Sequence, residues 1–288
     1  MRHFSLPLLL AAIFACVFLP HRACGQATEQ WRAWNQPVEP FRIVGDLYYV
    51  GASDIASYLI TTPQGHILLE GGFAETAPLI RANVAKLGFR VEDIKILLSS
   101  HAHTDHAGGL AELKRATGAR LYAGRADAPL YAGGGKGDFH WGDRLTFPAV
   151  VVDELVVDGA KVELGGVTLV ARATPGHSRG NLTWTMRVGG AEGRPLDVVF
   201  AGSVTAPGYT LTDNAAYPEI AADFARSFAM LKTLPCDVFL APHGQVFGLT
   251  EKRHRLEVGE PGNPFIDPAG FLHWVARAEE AFAGQLRR

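Results

Sequence analysis

The sequence predicts an α/β protein in which two β-sheets pack face to face with helices on their outer sides. Three observations carry this expectation. The chain reads as two successive β-rich halves, each ending in a helix, and such elements become stable only by burying their apolar faces against another layer. Ile94–Ser99 is a continuous apolar strand without alternation, the pattern of a strand covered on both faces. No linker splits the halves, so residues 26–288 are expected to form a single domain.

The elements follow in order. Leu47–Val50, Ser57–Thr62 and His66–Glu70 are β-like runs, the last two separated by the turn residues Pro63-Gln64-Gly65, which predicts antiparallel strands joined by tight turns. Thr76–Leu87 has helical apolar spacing stopped by Gly88; the buried strand Ile94–Ser99 comes next, then a helix over Ala107–Thr117 closed by Gly118. A strand at Ala119–Tyr122 and a short helix at Ala126–Tyr131 precede a glycine-rich stretch that runs from Gly133 through Phe139, His140 and Trp141 to Pro148. So many glycines predict a mobile loop, and its aromatic residues make it a candidate lid. The second half predicts strands at Val151–Val157, Val167–Ala173, Leu182–Val188 and Val198–Ala201, a helix at Glu219–Leu234, a strand at Asp237–Leu240 and a closing helix from Pro268.

Composition narrows the class. With 48% apolar and 19% charged residues over 288 positions, the chain can bury a full core. Its net charge is −2 and its Lys and Arg residues are scattered, which excludes the basic face that nucleic-acid binding requires. Arg2 and His3, the apolar run Phe4–Leu19 and the Ala23-Cys24-Gly25 end have the pattern of a cleaved secretory signal, residues 1–25. The run is shorter than the ~20 residues of a bilayer-spanning helix. An uncleaved anchor or a lipid-modified Cys24 are the alternatives. Cleavage leaves Cys236 as the one cysteine, so no internal disulfide and no multi-thiolate metal site can form; any metal is held by His and carboxylate.

The chemistry concentrates in Ser99-Ser100-His101-Ala102-His103-Thr104-Asp105-His106-Ala107-Gly108-Gly109, between a buried strand and a helix. Residues i and i+2 point together when extended, so His101 and His103 converge on one ion, and the following turn aims Asp105 and His106 at another. His177 in Thr174-Pro175-Gly176-His177 and His243 in Ala241-Pro242-His243 each follow a strand and a proline that fixes the backbone. Singly, either is as well explained as an ordinary surface or core histidine. Packed imidazoles beside a carboxylate serve no structural end that apolar residues would not serve better, whereas neutral imidazole is the commonest metal ligand. His66, His140, His254 and His273 show no ligand spacing.

The run His101-Ala102-His103-Thr104-Asp105-His106 resembles the His-x-His-x-Asp-His signature of the metallo-β-lactamase superfamily, and the resemblance extends over nearly all of residues 26–288. It implies an αβ/βα sandwich of two mixed sheets. It also implies two zinc ions, the first held by His101, His103 and His177, the second by Asp105, His106 and His243. Ser203 stands where other branches carry a bridging aspartate or a zinc-binding cysteine. That departure, with Ser203-Val204-Thr205-Ala206-Pro207-Gly208-Tyr209, Leu234–Leu240 and Gly262–Pro268, is similar to the third subclass of class B β-lactamases.

By this resemblance the activity is zinc-dependent hydrolysis of the β-lactam amide of penicillins, cephalosporins and carbapenems by a water the metals activate, conferring antibiotic resistance. Asp105 would ligate the second zinc and orient the nucleophile or relay a proton, and Ser203, Thr205 and Tyr209 would bind the substrate carboxylate. The expected setting is the periplasm, as a monomer acting on a small molecule, with no nucleic-acid or membrane partner after signal cleavage. The family's disulfide from the Cys236 position to the last helix is missing, which leaves the tether of that helix in question. An exported lactonase on the same scaffold is the alternative. A zinc-storage protein without turnover is a third reading, disfavoured because storage needs no open coordination position.

Overall fold

The computed structural model describes residues 29–190 and 193–287. The leader read over residues 1–25 lies outside the described residues. Seven strands form the first sheet in sequence order: β1 (Phe41–Val44), β2 (Leu47–Tyr49), β3 (Tyr58–Thr62), β4 (Gly65–Leu69), β5 (Ile94–Leu98), β6 (Arg120–Gly124) and β7 (Glu154–Val156). β1 to β4 are antiparallel, and β4 to β7 run parallel. The second sheet is ordered β12-β11-β10-β9-β8, from β8 (Lys161–Leu164), β9 (Val167–Ala173), β10 (Leu182–Gly189), β11 (Pro195–Phe200) and β12 (Val238–Leu240). Only its β11–β12 pair is parallel. Both sheets are mixed, as expected.

The unbroken apolarity of β5 now has its cause. Ile96 and Leu98 face the core between the sheets with Tyr58, Trp184 and Phe200. Ile94 and Leu97 face outward into a second core with Ile80 and Val84 of α1 (Ala77–Lys86). The helix expected over Ala107–Thr117 is two pieces, α2 (Thr104–Ala107) and α3 (Leu110–Thr117), because the chain bends at Gly108-Gly109. α3 closes on Gly118 in the left-handed conformation that glycine adopts without cost. α4 (Ala128–Gly133) follows β6.

On the far side, α5 (Ile220–Leu231) covers the second sheet; α6 (Gly244–Phe247) and α7 (Leu249–Glu257) lead to α8 (Pro268–Leu286), capped by the Asp267 side chain accepting from Gly270 N–H. β1, β8, α6 and α7 are absent from the sequence expectation. Their short runs carry too little periodicity to stand out, and pairing with neighbours makes them regular. Conversely, Val151–Asp153 of the expected strand lie outside β7.

Cys236 is a free thiol, and α8 is held without a disulfide. Phe271, fully buried, and Trp274 pack on Phe239 of β12 at 5.4 and 4.9 Å between ring centroids, and Phe282 meets Phe224 and Phe228 of α5. Lys232 pairs with Glu279 at 2.8 Å. No helix among the described residues is long and apolar enough to cross a membrane.

Candidate metal centre

Strand ends from both sheets deliver the site to one rim. β5 runs out through Ser99 and Ser100 into His101 and His103, and α2 starts at once, with Ala107 N–H donating to His103 O at 2.7 Å. This short helix turns Asp105 and His106 back toward the preceding histidines. Gly109 is required here. A Cβ on it would strike the carbonyl of Gly71, where the chain leaving β4 packs backbone to backbone against the ligand loop. β9 ends in the loop carrying His177, and β12 ends at Ala241-Pro242-His243. Cross-sheet bonds close the rim: Leu182 N–H donates to Ser100 O at 2.9 Å, and Ala56 N–H to Pro242 O at 2.9 Å.

Two clusters result, each with its ligand atoms within 4.8 Å of one another: His101, His103 and His177, all buried, and Asp105, His106 and His243. These are the two groups expected from the sequence. The rings of His101 and His106, one from each cluster, lie 4.5 Å apart.

Partners on the outward atoms show which nitrogens face inward. His101 Nδ1 bonds Ser100 Oγ at 2.9 Å, leaving its buried Nε2 without a hydrogen-bond partner. His177 Nδ1 donates to Thr205 O at 2.7 Å, and its Nε2 sits 3.0 Å from His103 Nδ1. His243 Nδ1 lies 2.7 Å from Asp54 Oδ2, with its Nε2 3.3 Å from Asp105 Oδ2, the same distance that separates His106 Nε2 from that oxygen. Three imidazoles converge on one point, and the orphaned Nε2 of His101 would gain a partner from a cation seated among them. The donor set of nitrogen and carboxylate, without thiolate, suits zinc.

Burial and neighbouring charges set the protonation of each group in the metal-free site. Burial, reinforced by the neighbouring imidazoles, holds His101 well below the ordinary histidine value and His177 at about 3, so both are neutral and able to coordinate. Burial would raise Asp105, but His106 and His243 outweigh it and hold the carboxyl well below its usual range. Burial would lower His243, yet its bonds to Asp105 and Asp54 raise it to about 9.

The sequence reading missed the acidic residues around the ligands. Asp54 orients His243, its other oxygen accepting from Gln245 N–H at 2.7 Å. Asp127 ties the two ligand loops together by accepting from Ala102 N–H, Ser178 Oγ and Gly180 N–H. Glu70, buried and in the left-handed region at φ 72°, accepts from Ser100 N–H at 2.8 Å. Asp138, inside the glycine-rich stretch, lies 3.4 Å from His103 Nε2 and accepts from the N–H groups of His140 and Trp141. That stretch is therefore pinned to the site, where composition alone predicted mobility. A lone acidic residue in a turn has no periodicity or spacing to reveal its partner.

Ser203 and Thr205 lie at the rim beside His177, Thr205 Oγ1 being 3.4 Å from His177 Nδ1 and 3.2 Å from Ser203 Oγ. Tyr209, also expected at the substrate, lies behind the His177 loop. It is buried and its hydroxyl donates to His177 O at 3.0 Å, so it braces the ligand loop. Phe139 packs on Tyr209 and Tyr217, each at 5.0 Å. His66, His140, His254 and His273 are outside both clusters.

Two facing mixed sheets with helices outside and a pair of His/Asp clusters at one rim define the class of two-metal hydrolases. Residues 50–243 match the metallo-β-lactamase superfamily, and the chain belongs to that superfamily. Among solved structures it is similar to a Cronobacter sakazakii metallo-β-lactamase described by a HARLDQ motif, at 46% identity and TM-score 0.86 over 90% of this chain and 98% of that one. The FEZ-1 metallo-β-lactamase of Legionella gormanii matches at 42% and 0.86 over 88% and 97%. BJP-1 of Bradyrhizobium japonicum, a subclass B3 metallo-β-lactamase, matches at 42% and 0.83 over 88% and 96%. Curated relatives include a hydroxyacylglutathione hydrolase of Rhodopseudomonas palustris, 32% identical over 46% of this chain and 43% of that protein. The N-acyl homoserine lactonase AttM of Azorhizobium caulinodans is 28% identical over 62% and 75%. The chain spans under half the length of the hydroxyacylglutathione hydrolases it matches.

Proposed function

We propose that this protein is a zinc-dependent β-lactamase of the subclass B3 kind, exported to the periplasm by residues 1–25 and acting there as a monomer. One observation carries the reading: β-lactamase structures match it almost end to end, around two clusters that among the described residues hold one carboxylate, Asp105 of the second. Ser203 supplies a hydroxyl at the rim, 3.2 Å from Thr205 Oγ1.

Two zinc ions held by His101, His103 and His177 and by Asp105, His106 and His243 would supply Lewis acidity, polarising the amide carbonyl and making water acidic enough to attack near neutral pH. The protein's own groups do the rest. Asp105, kept ionised by His106 and His243, would help to hold the second zinc and would accept a hydrogen bond from the attacking water. Thr205 Oγ1 and Ser203 Oγ donate to the carboxylate that bicyclic β-lactams carry. Asp54 and Ser100 hold the rings of His243 and His101 in place, so substrate meets a preformed site.

Similarity to a lactonase over 62% of this chain and 75% of that protein favours a second reading, opening of a lactone ester at the same site. One assay separates them. The purified mature chain with zinc is offered a carbapenem, a cephalosporin and an acyl-homoserine lactone, with and without chelator. Chelator-sensitive opening of the β-lactams supports the proposal. Lactone hydrolysis with inert β-lactams establishes the alternative, and no turnover despite two bound zincs establishes the storage reading.

A further inference from the structure

The glycine-rich stretch meets the three-histidine cluster through one carboxylate. Asp138 is 7% exposed. Its Oδ1 accepts from the backbone N–H groups of His140 at 2.8 Å and Trp141 at 2.6 Å, which folds the tip of the loop around it. Its Oδ2 is 3.4 Å from His103 Nε2, and both atoms are buried without any other hydrogen-bond partner. The opposite nitrogen of that ring, Nδ1, points into the cluster.

Imidazole chemistry links these two faces. Nδ1 can coordinate only when it carries no proton, and the proton of the neutral ring then resides on Nε2, where it donates to Asp138. A cation on Nδ1 withdraws electron density and makes that N–H a stronger donor, so the carboxylate is drawn to His103 more tightly when the cluster is filled. The same carboxylate organises the loop tip. A second contact runs in parallel: the rings of Phe139 and His140 lie 5.0 and 4.6 Å from Tyr209, whose hydroxyl holds the His177 carbonyl.

We propose that Asp138 is a positioning residue that couples filling of the His101–His103–His177 cluster to the conformation of loop 137–144, so that this loop tightens when the cluster is occupied. Linkage is reciprocal: loosening the loop weakens cation binding by the same factor. The inference rests on the metal-binding half of the functional reading and not on the substrate, so failure of β-lactam turnover leaves it standing.

The test is hydrogen exchange followed by mass spectrometry over residues 137–144, with zinc and with chelator, alongside zinc affinity from competition with a chromophoric chelator. In the wild-type chain zinc should slow exchange in the loop. In Asp138→Ala that difference should vanish and the first zinc equivalent should bind about 10–100-fold more weakly, with Asp138→Asn intermediate. His101→Ala should also abolish the zinc-dependent protection, whereas His243→Ala should keep it. Wild-type loop exchange that ignores zinc would overturn the proposal without recourse to any variant, as would wild-type affinity for the first equivalent in Asp138→Ala.

Discussion

At the scale of single residues, the site depends on carboxylates that touch no ligand point themselves. Asp54 fixes the ring of His243 and with it the direction of Nε2, so Asp54→Ala should weaken zinc at the second site about 10–100-fold and leave the first nearly unchanged. Stepwise zinc titration checks this, with His243→Ala as the reference for a second site lost outright. Equal loss at both sites would contradict the ligand assignment. Glu70 gives a pH signature in the metal-free protein. Burial raises its carboxyl to about 8 from an ordinary 4.5, so the folded chain keeps a proton that the unfolded chain releases across that interval. Stability from this group is therefore full below the unfolded value and falls as pH rises toward the folded one. Glu70→Gln cannot ionise, and its stability relative to wild type should rise from about pH 5 to 8. Denaturant midpoints of the two metal-free proteins provide the measurement; a constant difference would refute the assignment.

At the scale of elements, ligands and loops are held by packing between units distant in sequence. Helix α8 is fastened by rings where its relatives were expected to use a sulfur bridge. Phe271 fills the space between β12 and α8 with no exposed surface, so Phe271→Ala should cost about 3–5 kcal/mol. That is comparable with the 2–4 kcal/mol a disulfide commonly contributes. Urea unfolding measures it, and a loss below about 1 kcal/mol would mean that the helix is tethered elsewhere. The far end of α8 also reaches the site: Gln285 donates to Ala206 O at 2.7 Å, bracing the loop that carries Thr205. β6 and the His177 loop approach so closely that a Cβ at Gly124 would collide with the Gly180 carbonyl. Gly124→Ala should therefore destabilise by about 1–3 kcal/mol and lower zinc occupancy of the three-histidine cluster at limiting metal. Thermal unfolding with elemental analysis checks both.

At the scale of the whole molecule, the metal centre joins the two sheets, since its ligands come from β5 and α2 on one side and from the ends of β9 and β12 on the other. Cations that bind only the folded arrangement add stability, about 2.7 kcal/mol per site when free zinc is 100 times its Kd. Chelation should lower the thermal midpoint by several degrees, and an unchanged midpoint would exclude zinc as a structural partner. The ligand types were legible in the chain because six donor residues follow strand ends in tight turns, and local geometry alone aims His101 with His103 and Asp105 with His106. The layer order was legible in the doubly apolar β5 and in the alternation of β- and α-patterns. Hydrophobic periodicity and turn chemistry are local, so they survive in one dimension. Asp54, Asp127 and Asp138 do not, because each draws its meaning from partners up to 191 residues away, joined only once the sheets close. The buried fate of Tyr209, the pinned glycine-rich loop and the aromatic fastening of α8 have the same origin: burial and hydrogen-bond partners are set by neighbours in space, which the order of residues along the chain does not specify.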